Sequence, residues 1–141
     1  MNTKSTIDTA SSGISSAEKI VSLFISSFSN ADYDQMNELL AENVVSYITN
    51  AEASVNKLQG RSAFMGSIPC DVTNVKPQVR ITQLLTVKHN QVLVMVEVKA
   101  ERKGKKLHNH AAYLINVENG KISEIWMVEA LPAYSDEFWK S

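Results

Sequence analysis

Glu97, His110 and Glu129 are the residues whose types best suit proton transfer in this chain, since an imidazole ordinarily titrates near neutrality and a carboxylate partner can orient its ring. Their spacing sets them in a row if the intervening segments are hairpins. Asn119-Gly120 lies between two runs rich in β-branched and aromatic residues, and this dipeptide best tolerates the positive φ values of a two-residue type I′ turn. With Glu118 opposite Lys121, Tyr113 falls opposite Trp126, Ala112 opposite Met127 and His110 opposite Glu129. A second turn at Lys103-Gly104 sets Glu97 opposite His110 and Lys99 opposite His108. The expectation is an acid/base site with His110 as the proton carrier, flanked by Glu97 and Glu129. Its rival is a polar network that only satisfies buried groups.

Side chains alternate faces along a strand, so this register puts His108, His110, Ala112, Leu114, Ile125, Met127, Glu129 and Leu131 on one side of the hairpin. Leu107, Ala111, Tyr113, Ile115, Ile122, Trp126 and Val128 take the other, a set too apolar to face water. The first face is expected to line a pocket, with Phe24, Tyr47, Met95, His108, Ala112 and Met127 as the ligand-binding set. The second is expected to pair with another copy of the chain through Tyr113 and Trp126. His108 and His110 could share a metal ion, but a third firm ligand is not evident, and neither metal nor cofactor is expected. Cys70, the sole cysteine, follows Pro69 in a loop and reads as an ordinary thiol. A Ser/His/Asp hydrolase would need a nucleophile elbow that the sequence lacks.

A chain of 141 residues with 44% hydrophobic residues and a net charge of -1 is sized for one domain with a real core. It has no basic excess to gather phosphates, so nucleic acid is not an expected partner. No apolar run approaches the roughly 18 residues of a membrane span. A lone cysteine fits a reducing cytoplasm. Residues 1–15, mostly Ser, Thr, Ala and Lys, are expected to form a mobile tail, leaving residues 16–141 as the domain.

Several elements must position the row. Ser15 to Glu18 has the pattern of a capping box, and Ile20, Val21, Phe24, Ile25 and Phe28 then recur at helical spacing to about Ser29. Asp32 with Gln35 can cap a second helix whose apolar side is Tyr33, Met36, Leu39 and Leu40. Short strands are expected at Val44–Thr49 and Ala53–Leu58, and a short helix at Ser62–Ser67. Long strands follow at Gln78–Lys88 and Gln91–Glu101. After Pro132, Tyr134, Phe138 and Trp139 give a last helix an apolar side that folds back over the sheet.

This order, with Asn30-Ala31-Asp32 before the second helix, Leu40-Ala41-Glu42-Asn43-Val44 leading into the first strand, Gly60-Arg61 before the third helix, and Gly120-Lys121-Ile122 with Glu124 and Trp126 in the last hairpin, resembles the SnoaL-like branch of the NTF2-like superfamily. The resemblance implies an α+β cone, helices packed in the concave face of a curved, mostly antiparallel sheet, with an internal pocket and dimers formed through the outer face. It implies a small, mainly apolar ligand, with isomerase, cyclase or dehydratase-type chemistry as one branch and a non-catalytic ligand-sensing or dimerisation module as the other. Individual roles transfer poorly. The general-base aspartate of ketosteroid isomerases falls near Ile48, their helix-one tyrosine near Phe24, and their oxyanion-stabilising aspartic acid at Ala112 or Tyr113. The aspartate of the polyketide cyclases, four residues after the last-strand tryptophan, falls at Ala130, beside Glu129.

Overall fold

The computed structural model describes residues 15–68 and 75–140. Helix α1 (Ser16–Ser29) begins where Ser15 Oγ accepts the Glu18 N–H at 3.1 Å. Glu18 does not return the bond as a capping box would; its carboxylate instead accepts from Thr86 Oγ1, tying the helix to the sheet. Helix α2 (Tyr33–Leu39) is capped as expected, Asp32 Oδ1 accepting the Gln35 N–H at 3.2 Å.

Strand β1 (Leu40–Thr49) follows without a break, four residues earlier than its apolar pattern suggests, and pairs with β2 (Val55–Gln59). Helix α3 (Arg61–Gly66) then precedes the meander of β3 (Gln78–Lys88), β4 (Gln91–Arg102), β5 (Lys105–Glu118) and β6 (Lys121–Glu129). Helix α4 (Pro132–Lys140) closes the described chain. The six strands form one sheet in the order β2-β1-β6-β5-β4-β3, antiparallel except for the β1–β6 pair. The α+β cone implied by the resemblance is the observed architecture. The expected tail lies outside the described residues apart from Ser15, as does Cys70.

The concave face holds the core. Val92, Val94 and Val96 of β4 and Ile115 and Val117 of β5 point inward with at most 4% exposure, meeting Val21, Phe24 and Ile25 of α1. Burial contributes about 1.5–3 kcal/mol per large aliphatic side chain, so this layer holds the helices to the sheet. Helix α3 adds Phe64, whose ring centroid is 6.0 Å from that of Phe24. Among the described residues, no helix is long and apolar enough to cross a membrane.

The turns come out as the sequence implies. Asn119 and Gly120 have φ of 53° and 77°, and Lys103 and Gly104 have 53° and 76°, the doubly positive pattern of a type I′ hairpin. The β4–β5 register is also as expected, with Glu97 opposite His110 and Lys99 opposite His108. The β5–β6 register is not. Glu118 pairs with Lys121 and Val117 with Ile122, but a bulge at Ser123 then shifts the ladder, so that Asn116 meets Glu124, Tyr113 meets Met127 and Ala111 meets Glu129. One extra residue on β6 inverts the relation between the faces of the two strands.

Candidate active site

The shift decides which side chains enter the cone. On β5 the inward set is Leu107, Asn109, Ala111, Ile115 and Val117, all buried, while His108 and His110 are exposed on the outer face. On β6 the bulge lets Ile122 and Ile125 both point inward, and Met127 and Glu129 continue that face. The inner walls enclose a cavity of about 750 Å³, lined in its apolar part by residues such as Phe24, Phe28, Ile48 and Met127. Tyr113, Asn109 and Glu129 give it a polar end, and Ser135, Asp136 and Trp139 of α4 border it.

Glu129 is the titratable centre of that end. Its backbone N–H donates to Thr49 Oγ1 at 3.2 Å, fixing the end of β6 against β1. Burial pushes its carboxyl above the ordinary carboxylate range; a hydrogen bond from Ser135 pulls the other way, and the charge of Asp136 adds to the rise. Asn109, only 3% exposed, accepts the Leu131 N–H on Oδ1 at 3.1 Å and donates Nδ2 to the Leu131 carbonyl at 3.1 Å. The same Nδ2 lies 3.4 Å from Glu129 Oε2. The amide thus continues the sheet past β6 and sets the position of the carboxyl. Burial also raises the Tyr113 phenol, as does the charge of Glu129, so Tyr113 is held as a neutral hydroxyl, able to donate a hydrogen bond.

The expected row is therefore divided between two faces. Glu129 lies in the cone, whereas the side chains of Glu97 and His110, cross-strand partners, lie on the outer face. His110 forms part of the cavity wall by its place on β5, but its ring stands beside that of His108, centroids 5.3 Å apart. Glu97 bonds instead to His108, Nε2 to Oε2 at 2.6 Å, and to Arg80. The His108 ring first, and Arg80 second, hold its carboxyl down to about 2. Of the expected ligand-binding set, Phe24 and Met127 line the cavity; Tyr47, Met95, His108 and Ala112 belong to the outer face.

The bulge likewise parts the two residues expected to share a dimer face. Tyr113 is inside, while Trp126 remains outside, stacked on Tyr47 with centroids 3.9 Å apart. Sequence reasoning missed Asn109, Tyr113 and Ser135 as cavity groups. The one available signal was the unbroken odd-numbered series Leu107, Asn109, Ala111, Tyr113, Ile115 and Val117, more apolar than its alternate.

No curated protein matches the sequence. Among solved structures, Bal32a from a soil-derived mobile gene cassette superposes with a TM-score of 0.75 at 20% identity, covering 89% of this chain and 97% of that one. An LEH-like epoxide hydrolase from M. tuberculosis gives 0.70 at 15% identity, covering 86% and 87%. IdmH from Streptomyces antibioticus, a candidate polyketide cyclase, gives 0.68 at 13% identity, covering 86% and 97%. At these identities the likeness shows a shared fold, which is the cone described above. Residues 21–125, most of the helical layer and sheet, match the SnoaL-like domain, and the chain belongs to the SnoaL-like family.

Proposed function

We propose that the cone binds a small, mainly apolar molecule and that Glu129, rather than His110, is its acid/base group. The observation that carries this is a partly buried carboxyl, raised by desolvation, at the polar end of a largely apolar cavity of about 750 Å³. A carboxyl raised above its ordinary range by burial holds a proton more readily than an exposed one, and its ionised form is the stronger base. Tyr113 supplies a neutral hydroxyl in the same cavity for a developing oxyanion. Similar structures bear the names epoxide hydrolase and polyketide cyclase, reactions in which a positioned carboxyl can transfer a proton. Isomerase, cyclase or dehydratase-type chemistry is compatible with this arrangement.

A 5-nitrobenzisoxazole probe tests the reading, because ring opening needs only a desolvated base to remove one C–H proton as the N–O bond breaks. Wild-type protein is expected to accelerate the reaction with a pH profile that follows Glu129, and Glu129→Gln to lose about 100-fold or more of that rate. His110→Ala is expected to retain it. If the probe binds the cone, as read by displacement of an apolar fluorophore, yet Glu129→Gln leaves the rate unchanged, Glu129 is not the base and the non-catalytic ligand-sensing reading takes its place.

A further inference from the structure

The outer face of the sheet carries a second cluster that the cone chemistry does not use. His108 and His110 are two residues apart on β5, so both imidazoles leave the same face, and Glu97 of β4 is the direct cross-strand partner of His110. One donor atom from each of the three residues lies within 4.8 Å of the other two. Arg80 of β3 grips Glu97 Oε1 through Nε at 3.1 Å and Nη2 at 2.9 Å, leaving Oε2 toward the histidines.

We propose that Glu97, His108 and His110 form a mononuclear binding site for a divalent transition ion of the zinc class, with a fourth position open to water. Zinc holds imidazole nitrogen and carboxylate oxygen at about 2.0–2.2 Å, which makes the edge between two donors of a tetrahedron roughly 3.4 Å. The contacts present, from 2.6 Å between His108 and Glu97 to a limit of 4.8 Å for the group, bracket that length. Exposed side chains close the difference by rotation, while the β4–β5 ladder keeps their backbone fixed.

The donor set also selects the ion. Two imidazoles and one carboxylate suit zinc, nickel, cobalt or copper, whereas magnesium and calcium take all-oxygen shells. Arg80 and Lys99 add positive charge beside Glu97, which weakens the site relative to the same triad alone and leaves the ion exchangeable. Three protein donors leave the fourth coordination position for a water or an external ligand.

The full chain carrying Cys70→Ser, which removes the only thiol, is titrated with Co²⁺ and followed by visible absorption, then back-titrated with Zn²⁺. One equivalent is expected to bind and to be displaced by Zn²⁺. His108→Ala, His110→Ala and Glu97→Gln should each weaken binding by at least ~10-fold, the loss that even an outer partner of a metal ligand causes. His89→Ala removes the third histidine, on the β3–β4 turn, and should change nothing. Ring resonances of His108 and His110, but not His89, should shift when Zn²⁺ is added, a readout independent of how any variant folds. Absence of saturable binding, binding that survives His110→Ala, or binding lost in His89→Ala would overturn the site. Glu129→Gln should bind Co²⁺ as the parent does, so the outer site and the cone stand or fall separately.

Discussion

Glu129 and Glu97 have opposite linkage to pH, and the difference follows from their surroundings. Burial raises Glu129, so the folded chain holds a proton over a range where the unfolded chain has lost it. Its contribution is most favourable below the unfolded value and is lost as pH rises through the folded one, making the ionised carboxylate a cost at neutral pH. Glu129→Gln should therefore raise the melting temperature at neutral pH, by the equivalent of about 0.5–2 kcal/mol, with the gain vanishing in acid. Glu97 is lowered from 4.5 to about 2 by His108 and Arg80, so its stabilisation is present above the unfolded value and fades as pH falls through that window. Glu97→Gln should flatten the acid limb of a melting-temperature profile between those two values and slightly lower its neutral plateau. If the two variants give the same pH dependence, the assignment of one carboxyl to the cone and the other to the outer face is wrong.

At the scale of elements, pairing was legible wherever a turn and an uninterrupted strand set it. The Lys103-Gly104 turn gave Glu97 opposite His110 because nothing between them adds or drops a residue. The same arithmetic failed on β6, since the bulge falls on Ser123, neither Gly nor Pro, and a serine carries no local signature of an extra residue. The apolar period of α1, the cap of α2 and the turn dipeptides were all readable, being local; the face occupied by His110 was not, being a property of two strands at once. Deleting Ser123 should remove the bulge while Ile125, Met127 and Glu129 keep their partners, so the variant is expected to fold and to retain the cavity. Deleting Trp126 instead should turn Met127 and Glu129 out of the cone and cost several kcal/mol, since buried apolar groups and a strand face are exchanged. Chemical denaturation of both deletions measures the contrast; equal losses would refute the bulge.

For the molecule as a whole, the outer face carries exposed apolar side chains. Met95, Trp126 and Val128 are exposed by 42%, 44% and 55%. A second copy is expected to cover this band, and sedimentation at micromolar concentration should show a dimer that Trp126→Lys reduces to monomers. A monomeric wild type would refute that arrangement. The parallel contact between β1 and β6 has another consequence, in the order of events when the chain is made. Leu40 of β1 pairs with Ile122 of β6, and Ser46 with Ile125, so the first long strand waits for the last one before its free edge is filled. Contacts at such separation are slow to close. A chain truncated at Gly120 lacks β6 and leaves two further edges unpaired, one on β1 and one on β5, and is expected to be bound by chaperones and cut by proteases where the full chain is not. The strand that carries the cone's carboxyl is thus also the one that ends the vulnerable period of synthesis.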